Sequence, residues 1–337
     1  MKTGDCMGHG RLAWLSLALA LGACGGGGSS NSGGASGGGA PLPLTTANYT
    51  TATQESVASA LYLSNSSSLL VGAQVAGERM LFDMLLATVD RLPHWLATQH
   101  KLVTGVTQTD SEDCDGGGRL DFTAEDLNGN DDADVGDSAR VVAVNCVIGG
   151  VTANGAVSAL FTAVSGSFGT PPYSGTLTLT FENFSAASAA GEAVGSGSFD
   201  LTATATGVAN SSVAISAATF TVLSTYGGTS STRTLSAFSL RVDTSPSGRG
   251  SSTSTTVGGT LASTALGAMS VTISTLSPLV RAAGDGYPSS GQILVTGAAN
   301  SKARLTAQNA STVLIELDAD GDGSFEQSKT VPWSDIV

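Results

Sequence analysis

The sequence predicts a mainly β fold with N-terminal helices (α+β), a large curved antiparallel meander or half-barrel covered by helix. From about residue 102 onward, apolar and polar residues alternate with a period of two, which is typical of half-buried strands. Gly, Ser, Thr, Ala and Val dominate, and aromatic residues make up only 5% of the chain, so the core is expected to be thin. Helical periodicity is confined to residues 44–105. A β-sandwich is the alternative.

The chain opens with a short apolar run, Leu12–Leu21, after two basic residues. This is the plan of a secretory signal peptide, and the run is too short for a permanent membrane span. The stretch Leu21-Gly22-Ala23-Cys24 resembles a bacterial lipobox, so residues 1–23 are interpreted as a lipoprotein signal peptide. The resemblance implies that Cys24 is lipidated, with palmitate in the anchor, and begins the mature chain. An ordinary signal with a chance cysteine is the alternative.

Residues 24–43 are rich in Gly and Ser and predict a flexible tether, because little in them can bury a core. Gly25 occupies the position where Asp commonly retains Gram-negative lipoproteins in the inner membrane. The resemblance therefore implies a lipid-anchored protein of the bacterial cell envelope at the outer membrane, on either face of it.

The expected mature chain is acidic. Its formal charge is −14, from 12 Lys+Arg (14 less Lys2 and Arg11) and 26 Asp+Glu (27 less Asp5). This balance argues against nucleic acid and against a basic membrane-docking face. The expected partners are the bacterial membrane, through the N-terminal lipid, and an unknown envelope protein, glycan or apolar ligand.

Two helices are predicted within residues 44–105, at Gln54–Leu63 and Val75–Leu92. The apolar stripe of the second predicts packing on a sheet, and its polar face lacks the basic residues of a membrane-surface helix. Residues 106–337 are predicted to form an antiparallel β-rich domain. Its thirteen candidate strands run from Arg119–Glu125, through Thr234–Val242 among others, to Ser324–Val331, separated by Ser-, Gly- and Asn-containing turns.

The cysteine count predicts one disulfide. With two of the four cysteines assigned to the signal peptide and the lipid, Cys114 and Cys146 remain in an exported chain. If Asp126–Asp137 is a hairpin tip, the two cysteines meet at its open end, with Gly116–Gly118 absorbing the unequal arm lengths as a bulge or loop. Two buried free thiols are the alternative.

Two acidic clusters predict oxygen-ligated metal sites, possible structural Ca²⁺ sites at hairpin tips. In the twelve-residue stretch 126–137, oxygen ligands fall at the first, third, fifth, ninth and twelfth positions, the spacing of calcium loops. These residues are Asp126, Asn128, Asn130, Asp134 and Asp137. The flanks read as strands, and Asp131 stands where glycine normally makes the turn. A solvated acidic turn is the alternative.

The second cluster lies near the C-terminus and opens with Asp-x-Asp-x-Asp-Gly. Its candidate ligands are Asp318, Asp320, Asp322 and Glu326, with Gly323 at the turn position. Lys329 stands at the twelfth position, so the closing carboxylate of a calcium loop is missing.

Several motifs together resemble a known group of proteins. They are Cys114 with Gly116–Gly118, the acidic loop ending at Gly136-Asp137, Val141–Cys146, Gly149–Val157, Gly291–Gly297 and the final Asp-rich hairpin with Trp333. The chain is similar in these to uncharacterised proteobacterial outer-membrane lipoproteins with a Gly-rich tether and a β-rich domain. The resemblance implies location and fold, and no activity.

No catalytic constellation is found, so an enzyme is not expected. The mature histidines are His94 and His100, and no nucleophile elbow, zinc motif or Walker loop is present. The preferred hypothesis is an envelope binding or structural module. The alternative is a carrier or chaperone for an apolar envelope ligand, with a groove lined by residues such as Met80, Met84, Leu85, Phe161 and Phe181.

Overall fold

The computed structural model describes residues 38–65, 107–130, 132–167, 170–207, 209–248 and 250–336. These residues form one α-helix, α1 at Tyr49–Asn65, and fourteen strands. The strands are β1 Thr107–Asp113, β2 Arg119–Glu125, β3 Ser138–Ile148, β4 Val151–Ser165, β5 Tyr173–Ser188, β6 Gly191–Gly207, β7 Asn210–Tyr226, β8 Thr229–Ser247, β9 Gly250–Ser263, β10 Met269–Ala282, β11 Ser290–Thr296, β12 Lys302–Ala307, β13 Thr312–Asp318 and β14 Gln327–Pro332.

The described strands form a single open sheet whose spatial order follows the order along the chain. Each strand pairs antiparallel with the next, from Thr107↔Glu125 in the first pair to Thr312↔Pro332 in the last. The predicted antiparallel meander is therefore confirmed. The sandwich alternative is wrong, because one continuous sheet replaces two packed ones.

The helical part differs from the prediction. α1 contains the predicted helix Gln54–Leu63 and extends it at both ends. The predicted helix Val75–Leu92 lies outside the described residues. A helical cover over the whole sheet is not shown, because a helix of 17 residues makes its main contacts with β8–β13.

A buried ion pair fixes α1 to the sheet. Glu55 accepts two hydrogen bonds from the Arg233 guanidinium on β8, both at 2.8 Å, and one from the Ser263 hydroxyl at 3.0 Å. The two charged side chains are only 15% and 9% exposed. Removing one member of such a buried pair costs about 3–5 kcal/mol, because the other charge stays buried without its partner.

The segment before α1 is bonded to β10. The Leu42 N–H donates to the Ser270 carbonyl at 2.8 Å, and the Ser270 N–H donates to the Ala40 carbonyl at 2.9 Å. Ala298 donates to the Leu42 carbonyl at 2.8 Å, so this segment touches the sheet at two places. These contacts begin within the last residues of the predicted tether 24–43.

A line of bulges crosses the middle of the sheet. Register shifts occur between β3 and β4, β4 and β5, β5 and β6, β6 and β7, and β8 and β9. Residues with positive φ lie at these shifts: Asn145, Gly155, Asn183, Gly197, Ala237 and Gly259. A bulge bends its strand and increases the local twist, so the line curves the sheet. At Gly155 a Cβ atom would collide with the Asn183 backbone, which explains the glycine there.

The bulges also change which side chains face the core. In β8, Arg233 and Leu235 are buried before the bulge, and Phe238 and Leu240 are buried after it. The buried positions thus switch from odd to even numbers at Ala237, where φ is +46°. A strict period of two therefore fails in mid-strand, although the strand continues for 19 residues.

The core of the bent sheet contains a cluster of aromatic rings. Phe181 lies edge-on to Phe184, Phe199 and Phe220, with ring centroids 6.4, 5.9 and 5.1 Å apart. All four side chains are buried. They supply the bulk that the small neighbouring residues lack.

Cys114 and Cys146 form a disulfide with Cα atoms 5.4 Å apart, so the predicted pairing is present. Gly116–Gly118 lie in a loop, one of the two forms that the prediction allowed. Cys114 to Gly118 form the turn between β1 and β2, where the Cys114 N–H donates to the Gly118 carbonyl at 3.0 Å. The disulfide therefore joins this turn to β3.

Candidate metal centre

The loop between β13 and β14 carries the second acidic cluster. Asp318 ends β13 and is fully buried, whereas Asp320, Asp322 and Glu326 are exposed. Gly323 has a φ of +95°, a value that glycine adopts most readily, as its predicted turn position requires. The sequence thus predicted both the loop and its turn.

Backbone N–H groups hold the carboxylates in place. Asp318 accepts from Gly321 at 2.7 Å through Oδ1 and from Gly323 at 3.0 Å through Oδ2. Glu326 accepts from the Ala319 N–H at 3.1 Å. These bonds draw the two ends of the loop together around its centre.

The same pattern continues through the exposed residues. Asp320 Oδ1 accepts from the Asp322 N–H at 3.1 Å, and Asp322 Oδ1 accepts from the Ser324 N–H at 2.7 Å. Each of these aspartates uses one oxygen in the loop and keeps Oδ2 for another partner.

The four predicted ligands converge. One carboxylate oxygen from each of Asp318, Asp320, Asp322 and Glu326 lies within 4.8 Å of the others. Among the described residues, this is the one group of three or more His, Cys, Asp or Glu side chains that could hold a metal ion. Four carboxylates this close repel one another unless a cation or water intervenes.

Two basic residues on β12 lie beside this cluster. Lys302 pairs with Asp318 in the strand register, and its Nζ lies 3.7 Å from Asp318 Oδ2. Arg304 bonds Glu316 at 2.8 Å and lies over the Phe325 ring, 4.1 Å from its centroid. Lys302 therefore offsets part of the negative charge at the buried end. No local pattern in the sequence predicts this neighbour.

The first acidic loop has a different arrangement. The side-chain amides of Asn128 and Asn130 both donate to Asp134 Oδ2, at 2.6 and 2.8 Å. Asp137 accepts from the Leu127 N–H at 3.0 Å and from the Asp134 N–H at 2.7 Å. These carboxylates therefore take hydrogen bonds from the loop itself.

Asp126 accepts hydrogen bonds from the backbone at the start of the first loop. Its Oδ1 accepts from the Asn128 and Gly129 N–H groups at 3.1 and 2.6 Å, and it is buried, as is Asp137. Asp131 lies outside the described residues. A cation bound by the five predicted ligands of this loop stays a prediction.

Charge and hydrogen bonding shift the pKa of one acid on the strand before the first loop. The Arg119 guanidinium and the Ser111 hydroxyl both donate to Asp121 and hold the pKa of its carboxyl below the ordinary value. This ion pair is exposed, so water and salt screen it.

Several residues named in the sequence analysis lie outside the described residues. They are the predicted lipidation site Cys24, the two mature histidines His94 and His100, and Met80, Met84 and Leu85 of the predicted carrier groove. Phe161 and Phe181, the other two groove residues, are buried in the hydrophobic core. In the described part of the chain, no helix has the length and apolar character that a membrane crossing requires.

Comparison of the chain with known protein families, with curated proteins and with solved structures gives no match.

Proposed function

We propose that the protein is a lipid-anchored lipoprotein of the bacterial outer membrane whose β-rich body is a binding or structural module stabilised by Ca²⁺ in the loop 318–326. The observation that supports the metal is the convergence of four carboxylate oxygens within 4.8 Å. Because no nucleophile and base are recognised together, the proposal is a binding or structural role and not catalysis.

The ligand chemistry favours calcium over transition metals. Carboxylate oxygens suit hard cations, and the first, third and fifth loop positions are those that calcium loops use. Ca²⁺ takes six to eight oxygen ligands with flexible geometry, so water can complete a set of four side chains. With Lys329 at the closing position, the affinity is expected to be weak, as in extracellular calcium modules.

The proposed role of the ion is structural. It neutralises the clustered carboxylates and fixes the turn between β13 and β14, the last strand of the sheet. An ion that binds only the folded state raises the free energy of unfolding. At concentrations well above Kd, this increase grows with the logarithm of the ratio of ion concentration to Kd.

Calorimetry with Ca²⁺, together with thermal melting in calcium and in chelator, tests the metal. We expect a binding heat and a higher melting temperature in calcium. Asp320→Asn, at an exposed ligand, should weaken both effects, and Glu192→Gln, an exposed acid on β6, is the charge-matched control. If the parent protein gives neither heat nor a melting shift, the calcium proposal fails. If Mg²⁺ gives the same binding heat and melting shift, the site binds divalent cations without selecting calcium.

The lipid anchor is tested separately. Mass spectrometry of the native N-terminal peptide should find the chain cleaved before Cys24 and acylated on it. Cys24→Ser should move the protein from the membrane fraction to the soluble fraction. An uncleaved, unacylated precursor in the native host would remove the proposed location.

A further inference from the structure

A groove of about 470 Å³ opens across β6, β7, β8 and β9, far along the sequence from the acidic loops. The strand register sets one residue from each of these strands in a row: Asp200, Ser216, Ser239 and Gly258. Partners in such a row present their side chains to the same face of the sheet. Since the last three are small, the floor of the groove is open.

Two charged residues, Asp200 and Arg241, line the groove. Asp200 Oδ1 accepts from the Thr178 hydroxyl at 2.6 Å, and its Oδ2 has no partner among the described residues. Arg241 uses Nε and Nη2 on Asp243, at 3.0 and 2.8 Å, and keeps Nη1 for another acceptor. The groove therefore offers both a carboxylate acceptor and guanidinium donors.

The side of the groove next to β10 lies where the pairing between β9 and β10 is interrupted. These strands pair at Leu261↔Val271 and again at Thr255↔Leu279, so seven residues of β10 (272–278) face five of β9 (256–260). Thr275 fills part of the gap, because its hydroxyl bonds both the N–H and the carbonyl of Val257, at 2.7 and 2.9 Å. Ser274, Thr275 and Pro278 of this β10 segment line the groove.

The lining decides the class of ligand. Six lining residues carry hydroxyl groups, which both donate and accept hydrogen bonds. The hydroxyls of Thr202 and Thr275 already bond within the sheet, but an apolar ligand would leave those of Ser216, Ser239, Thr256 and Ser274 unpaired, at a cost in free energy. An anion is disfavoured, because Arg241 is already paired and the whole chain carries a charge of −13. A neutral ligand with many hydroxyl groups satisfies the lining best.

We propose that this groove binds a neutral glycan segment. Asp200 accepts hydrogen bonds from sugar hydroxyls, Arg241 donates to others, and the Ala214 and Pro278 side chains meet the apolar C–H faces of the sugar rings. The row of four strands spans about 14 Å, which suits a short oligosaccharide better than a single sugar. The inference deepens the proposed binding role and does not depend on calcium.

Saturation-transfer NMR and calorimetry on the full chain test the proposal, with chitotetraose, cellotetraose, maltotetraose and mannotetraose as probes at millimolar concentration. We expect one or more of them to bind. Ser216→Tyr, which fills the floor from an exposed position, and Asp200→Asn should each weaken that binding by about tenfold or more. Thr206→Tyr, an exposed substitution on β6 outside the lining, is the control and should leave affinity unchanged.

The outcomes separate this inference from the calcium proposal. Glycan affinity that persists in chelator and in Asp320→Asn supports an independent groove. The inference is overturned if none of the four probes binds, or if a bound probe has the same affinity for the parent, Ser216→Tyr and Asp200→Asn. Two groove variants are used so that a folding defect in one leaves the other informative.

Discussion

The loops at 126–137 and 318–326 both join neighbouring antiparallel strands, and both are rich in Asp, yet their carboxylates have different partners. In the first, Asp134 takes two side-chain amides from Asn128 and Asn130. In the second, the equivalent third and fifth positions are Asp320 and Asp322, whose carboxylates converge with two others. The comparison teaches that asparagine side chains can donate to a carboxylate of the same loop, whereas aspartate at the same positions leaves charge for a cation.

The two loops also differ in how their strands are held. The β2–β3 hairpin that carries the first loop is tied by the Cys114–Cys146 disulfide. The second loop precedes an edge strand, β14, of only six residues. A bound ion therefore has more to contribute at the second loop.

Among changes at the two loops, the largest expected effect comes from removing the disulfide. Cys114→Ser with Cys146→Ser should lower the free energy of unfolding by about 3–4 kcal/mol, because the unfolded chain regains the entropy of the closed loop. Urea denaturation measures it. The calcium-induced melting shift should persist, and its loss would show that the two loops are coupled.

Removing a buried carboxylate from each loop sharpens the comparison. Asp318→Ala and Asp137→Ala should each cost about 1–3 kcal/mol, since each leaves two backbone N–H groups without their acceptor. Denaturation in chelator measures both costs. Only Asp318→Ala should abolish the calcium response. A lost response in Asp137→Ala instead would support the predicted cation site in the first loop.

Converting the first loop to the chemistry of the second should make it dependent on calcium. Asn128→Asp with Asn130→Asp removes two N–H donors and adds two charges beside Asp134, for a cost of about 1–2 kcal/mol without metal. Calcium should restore part of the lost stability. The calcium-induced rise in melting temperature should therefore be larger for this variant than for the parent protein. An unchanged calcium shift would mean that the loop geometry, and not its donors, excludes the ion.

The smallest effect concerns the exposed pair before the first loop. Arg119→Gln should raise the pKa of Asp121 toward its ordinary value, as measured by NMR titration of the carboxyl carbon. Because the pKa of Asp121 is lower in the folded state than in the unfolded state, the ion pair stabilises the folded protein at pH values above the unfolded-state pKa, which is about 4. This contribution is lost as the pH falls through the folded-state pKa. At pH 7 the melting temperature should stay unchanged, because the pair is exposed. A large change there would indicate a structural role for Arg119.

The sequence predicted the meander and much of the second acidic loop, because alternation and the Asp-x-Asp-x-Asp-Gly spacing are local signals. Several strands were predicted too short, Thr234–Val242 for β8 among them, since polar ends and the bulge at Ala237 interrupt the period. β1 was missed because its sequence, Thr-Gln-Thr-Asp-Ser-Glu-Asp, has no apolar alternation.

Long-range pairs had no sequence signal at all. Glu55 and Arg233 lie 178 residues apart, and only the folded sheet brings them together. The groove across β6 to β9 likewise arises from register, which aligns Asp200 with Ser216 and then Ser239 across three strands.

The hydrogen bonds between Ala40–Leu42 and Ser270 have a mechanical consequence. They lie in the last residues of the predicted tether, and they attach the chain to β10, an interior strand. A force transmitted from the proposed membrane anchor would act on these hydrogen bonds to β10 before it reached α1. Interior strands are held on both sides, so the sheet would resist such traction at a point well protected against peeling.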